Sequence, residues 1–118
     1  MDFFMYLCIV KLKITIDMKQ IEIYQIDCKK GDNAHYKLFT SMRMLQSMGL
    51  QFSKNDYKVV YSGQMDVEDV EDVYMRLQFV KPNGYKGHSL SVSDVVFMDG
   101  KALFCDSYGF KDVTDMWT

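Results

Sequence analysis

Eleven residues, VVFMDGKALFC at positions 95–105, constrain the fold of this chain more than any other stretch. Asp99-Gly100 is a dipeptide that tolerates the two positive-φ positions of a type I′ turn. A two-residue loop there sets a register, with Met98 opposite Lys101, Phe97 opposite Ala102, Val96 opposite Leu103 and Val95 opposite Phe104. Side chains alternate between the faces of a strand, and here the residues bound for either face are apolar. A hairpin of that kind must be covered on both sides, so it belongs in the middle of a layered domain.

The flanking sequence supplies the layers. QIEIYQI (20–26) alternates as a strand does, and the polar turn after it ends in Asp32 and Asn33, both suited to cap a helix. Leu38, Phe39, Met42, Leu45 and Met48 then recur at helical spacing, and Gly49 offers a left-handed stop. YKVVY (57–61) reads as a further strand, ended by Ser62-Gly63. From Asp66, a candidate cap, Val67, Val70, Val73, Tyr74 and Leu77 form the apolar stripe of a second helix. Pro82 and Asn83-Gly84 break the chain before the hairpin. The expectation is an α+β domain over residues 18–118, with two helices on a mostly antiparallel sheet of four to five strands and a C-terminal hairpin. Residues 1–17 stand apart. VKLKITID (10–17) alternates like a strand, so this extension is either an extra strand or a leader upstream of a true initiator at Met18.

Bulk properties narrow the function classes. A chain of 118 residues with 48% hydrophobic residues suits one domain with its own core. The apolar run MDFFMYLCIV is too short to span a bilayer, and no basic residue precedes it as in a secretory signal. Cys8, Cys28 and Cys105 are odd in number and lack metal-ligand spacing, so no metal and no cofactor is expected, and the cytoplasm suits free thiols. Net charge is -2, yet residues 1–64 carry nine Lys/Arg against six Asp/Glu while residues 65–118 carry five against ten. That balance does not favour direct nucleic-acid binding.

Two groups of residues carry chemistry. GHSLSVSD (87–94) places His88 beside Ser89, Ser91, Ser93 and Asp94, with Asp106 and Cys105 nearby, which are the residue types of acyl transfer. No GxSxG elbow accompanies them, and short polar side chains before an apolar strand serve equally to bond turn amides. Cys105, on a buried strand, reads as a small core residue, and His35 has no partner at helical spacing. The second group is Asp66, Glu68, Asp69, Glu71 and Asp72, five carboxylates in seven positions. They suit a first helical turn, and as a dense acidic face they also suit a basic groove on a partner.

GHSLSVSDVV (87–96), the Asp99-Gly100 turn and DSYGF (106–110), preceded by VYSG (60–63) and VEDVY (70–74), resemble the YodL-like domain. The resemblance covers roughly residues 19 to 117. It implies a domain of mobile genetic elements of Gram-positive bacteria, and it transfers no catalytic residue. An apolar residue such as Val is usual in that family at the place of Cys105, and Phe at the place of Tyr108. The expected function is a non-enzymatic protein-binding module whose partner is a protein, such as a host defence nuclease of the CRISPR-effector kind. The alternatives are a small hydrolase built on His88 with a serine or Asp106, and a structural docking domain.

Overall fold

The computed structural model describes residues 18–31 and 33–118. The alternating segment 10–17 and the expected cap Asp32 lie outside the described residues. Five strands, β1 (Met18–Ile26), β2 (Tyr57–Asp66), β3 (Val95–Met98), β4 (Lys101–Cys105) and β5 (Phe110–Asp112), form one antiparallel sheet in the order β2-β1-β3-β4-β5. The hairpin register is the expected one at all four pairs. The architecture is α+β.

Both faces of the sheet are covered, which accounts for the doubly apolar hairpin. Helix α3 (Val70–Phe79) sets Val70, Val73 and Leu77 on a cluster with Ile21, Ile23, Val96 and Met98. On the other face Val95, Ala102 and Phe104 pack with Ala34, Met42, Leu45 and Trp117. Alternation along β3 sends Val96 and Met98 one way and Val95 and Phe97 the other. In β2 the register shifts opposite Ile23/Tyr24, where Val60 is passed over. Such a bulge lets successive residues face one side, and Val60 and Tyr61 both reach the α3 cluster.

Three local expectations give way to tertiary contacts. The first helix is two short ones, α1 (Ala34–Lys37) and α2 (Met42–Ser47). Phe39 between them has φ 59° and an exposed side chain, because its N–H donates to Ser93 Oγ at 3.0 Å rather than to a helical carbonyl. Ser41 caps α2, and Asn33 makes no side-chain cap. Gly49 ends α2 as expected, at φ 70°. β2 runs through Ser62-Gly63 to Asp66. Gly63 makes room rather than a stop, since a Cβ there would lie 2.5 Å from the Tyr61 hydroxyl. Finally, the α3 cap is Asp69, not Asp66. Asp69 Oδ1 accepts the Asp72 N–H at 2.9 Å, and Asp72 Oδ2 accepts the Glu68 N–H at 3.2 Å. This reciprocal pair satisfies two amides at the helix start.

The hairpin is not the last strand pair. After Cys105, the turn DSYGF folds back by an Asp106 N–H to Gly109 O bond of 2.9 Å, and β5 pairs Phe110 with Cys105. The cap assignment has a direct check: Asp69→Ala should lower unfolding free energy by about 1 kcal/mol in urea titrations, and Asp66→Ala by clearly less.

Candidate functional site

The GHSLSVSD segment wraps over the end of β1, where Gln25 occupies a buried position on the same face as Ile21 and Ile23. The carboxamide is held from both sides. Its Nε2 donates to the His88 carbonyl at 2.8 Å and to Asp94 Oδ2 at 3.1 Å, and its Oε1 accepts the His88 N–H at 3.2 Å. A Cβ on Gly87 would stand 2.0 Å from Gln25 Oε1, so the approach requires glycine. Tyr85 also donates its hydroxyl to the His88 carbonyl, at 2.7 Å.

Asp94 closes the turn. Its Oδ2 accepts the Ser91 N–H at 2.8 Å, its N–H reaches Ser91 O at 3.1 Å, and its carbonyl accepts the Cys105 N–H at 2.8 Å. Ser93 is buried at φ 84°. Its N–H donates to Cys105 O, its carbonyl accepts the Tyr57 hydroxyl, and its Oγ accepts the Phe39 N–H. Ser91 Oγ donates to Ser89 O, and Ser89 itself is exposed. Asp106, reaching from β4, accepts the Met42 N–H at 3.2 Å at the start of α2. Four separate segments are thereby tied to one turn.

One pair in this network is unsatisfied. Asp94 Oδ1 and His88 Nε2 have no hydrogen-bond partner among the described residues and stand 3.9 Å apart, too far for a hydrogen bond. His88 Nδ1 lies 2.8 Å from Ser89 O and 3.2 Å from Gln25 Nε2. Burial pushes the Asp94 pKa up to about 8, against the lowering effect of the Ser91 and Gln25 hydrogen bonds. The carboxyl is therefore mostly neutral at pH 7. Burial likewise raises the Tyr57 hydroxyl far above its usual range, with the Asp94 and Asp56 carboxylates adding to it.

The structure brings His88, Ser91, Ser93 and Asp94 together but assembles no serine relay among the described residues. The His88 ring nitrogens approach Gln25, Ser89 O and Asp94, and each of the Ser91 and Ser93 hydroxyls is engaged elsewhere. Cys105 is buried, and burial, then the Asp94 and Asp106 carboxylates, raise its thiol to about 11. A thiol so placed is a poor nucleophile near neutral pH. The residue that sequence reasoning missed is Gln25, although its position in phase with Ile21 and Ile23 along the alternating strand points it inward.

The acidic residues form a second feature. Glu68, Asp69 and Glu71 are exposed, whereas Asp66 and Asp72 are partly covered. Two hollows, of about 350 and 360 Å³, lie along the face between α3 and β4–β5 and share Phe110 as a wall. Phe110 meets Tyr74 edge-on, with centroids 6.4 Å apart. Glu71 and Asp106 border one hollow, and Glu68, Asp69, Asp99 and Asp112 border the other, against a single cation, Lys101. Lys19 reaches Asp99 at 2.9 Å from outside.

Among the described residues no helix is long and apolar enough to cross a membrane. The sequence model of the YodL-like domain matches residues 20–116. No curated protein and no solved structure matches the chain.

Two measurements probe the buried network. With its pKa raised from 3.8 to about 8, folded Asp94 keeps a proton that the unfolded chain releases between those values. Its contribution to stability is thus greatest below about pH 4 and declines as pH rises to about 8. Asp94→Asn should fold and lose that component of the pH dependence in urea midpoints. Gly87→Ala, by contrast, should cost about 3 kcal/mol or more, since the added methyl collides with a carboxamide that cannot move without breaking its own bonds.

Proposed function

The chain belongs to the YodL-like domain family, and from that premise we propose that it is a non-enzymatic protein-binding module of a mobile genetic element. Its partner on this reading is a protein with a cationic groove, of the kind by which a host defence nuclease such as a CRISPR effector holds nucleic acid. The observation that carries the reading is the face between α3 and β4–β5, where apolar hollows are bordered by six carboxylates and one lysine. Exposed Met75 stands in the wall of one hollow, and exposed Tyr108 lies between Ser107 and Gly109, which line it. Aromatic and Met side chains are enriched where proteins meet, and a rim of one charge sign steers an oppositely charged partner.

The carboxylates divide by role. Asp69 and Asp72 cap α3, Asp106 holds the start of α2, and Asp112 Oδ1 accepts the Thr114 N–H at 2.9 Å. Glu68 and Glu71 make no side-chain hydrogen bond among the described residues, so their charges can be removed without touching the fold.

The test is association with a partner captured from the native host and purified. Glu68→Gln together with Glu71→Gln should leave the melting temperature within a few degrees, reduce the association rate about tenfold, and flatten the salt dependence. A captured partner whose binding ignores both the double change and added salt would refute the charged-face mechanism.

A further inference from the structure

A third hollow, of about 380 Å³, lies at the C-terminal end of β1 and shares no lining residue with the carboxylate-bordered pair. Its charge is opposite. Lys29, Lys58 and Lys86 line it, together with Asp27, Leu38 and His88. These lysines come from three segments: Lys29 from the turn after β1, Lys58 from β2 where it pairs with Gln25, and Lys86 from the strap that enters the Gln25 network. The Lys86 backbone is fixed by an N–H bond to Val60 O of 2.8 Å. None of the three ammonium groups pairs with a carboxylate among the described residues. Asp27 Oδ1 accepts the Lys29 backbone N–H at 3.1 Å. The neighbouring cations are otherwise engaged, since Lys30 Nζ donates to Tyr57 O at 2.7 Å and Lys54 Nζ sits 5.2 Å over the Trp117 ring.

One wall residue, His88, has an aromatic neighbour. The His88 ring meets Phe39 edge-on at 5.0 Å, and Phe39 is 56% exposed. A bulky residue at positive φ is held there at a cost. The Ser93 bond to Phe39 N–H maintains that conformation, and with it an exposed ring against His88, a residue of the hollow's wall, instead of one buried in a continuous helix. Leu38 supplies an apolar wall.

We propose that this hollow binds a nucleoside monophosphate, its phosphate between Lys29, Lys58 and Lys86 and its base against Leu38, His88 and Phe39. A phosphomonoester carries close to two negative charges at neutral pH and matches a cluster of ammonium donors. A flat base gains by stacking on an aromatic or imidazole ring. The volume lies in the range of small-ligand sites, roughly 300 to 1,000 Å³. The free nucleotide is favoured over a nucleic-acid strand because a strand needs an extended track of available cations, whereas Lys30 and Lys54, which would continue one, are committed to Tyr57 O and Trp117.

Calorimetric titration of the full chain with AMP, adenosine, inorganic phosphate and a short oligoadenylate tests this. AMP should bind about tenfold tighter than either adenosine or phosphate. Lys58→Gln and Lys86→Gln should each weaken AMP about tenfold, as expected for a lost charge-assisted contact. Lys101→Gln, on the carboxylate face, should change nothing. Phe39→Ala should weaken AMP and leave phosphate unaffected. All four substituted side chains are exposed, and a melting curve for each variant verifies folding. Four results would each overturn the proposal: no AMP binding up to about 10 mM, phosphate binding as tightly as AMP, indifference to the lysine changes in folded variants, or an oligoadenylate that binds far more tightly than AMP.

Discussion

The hydrogen bonding of the Gln25 carboxamide, on a residue only 1% exposed, is the interaction on which the rest of the chain's arrangement depends. A buried amide left unpaired costs a large part of a small domain's stability, so the surrounding backbone has to come to it. Here it does so from 63 to 69 residues away: the His88 N–H and carbonyl and the Asp94 carboxyl group supply the missing partners. Because Gly87 has to lie almost on the carboxamide oxygen, the strap can take only one path. That path delivers the chain into β3 in the register that the hairpin then propagates.

Consequences spread outward from that turn. Ser93, forced to positive φ, captures the Phe39 amide and splits what would be a continuous helix. Asp106 then provides an acceptor for the first amide of the second piece. The polar residues of GHSLSVSD are thus mostly consumed in building the molecule, and what they leave at the surface is the His88 ring, in contact with Phe39 and in one wall with the lysines. The hollows differ in charge, with carboxylates bordering the pair along α3 and β4–β5 and lysines lining the one at the end of β1.

How much of this was legible depends on the range of the interaction. The hairpin could be read residue by residue, because Asp99-Gly100 and the doubly apolar flanks are local signals that no distant contact opposes. The α3 stripe was equally plain, although its cap was misplaced by three residues: Asp66 and Asp69 are chemically alike, and only the pairing of Asp66 with Met18 in the sheet shows that the strand is still running. Leu38, Phe39, Met42 and Leu45 fit a helical face in sequence, and nothing local reveals that Ser93 intercepts the chain. β5 is three residues long, too short for any alternation to register. For the site, the sequence pointed to the GHSLSVSD segment and to the tension between a catalytic and a turn-forming reading of it. It was silent on Gln25, whose role exists only once the strap is folded over it.

Amide hydrogen exchange followed by NMR tests the central claim, that Gln25 anchors the strap. The His88 and Ser91 amides, bonded to the Gln25 and Asp94 side chains, should exchange as slowly as the β1 and β3 core amides and open only with global unfolding. In Gln25→Ala those two should become fast while the β3–β4 hairpin amides stay protected. Fast exchange at His88 and Ser91 in the unaltered chain, or unchanged protection after Gln25→Ala, would contradict the account.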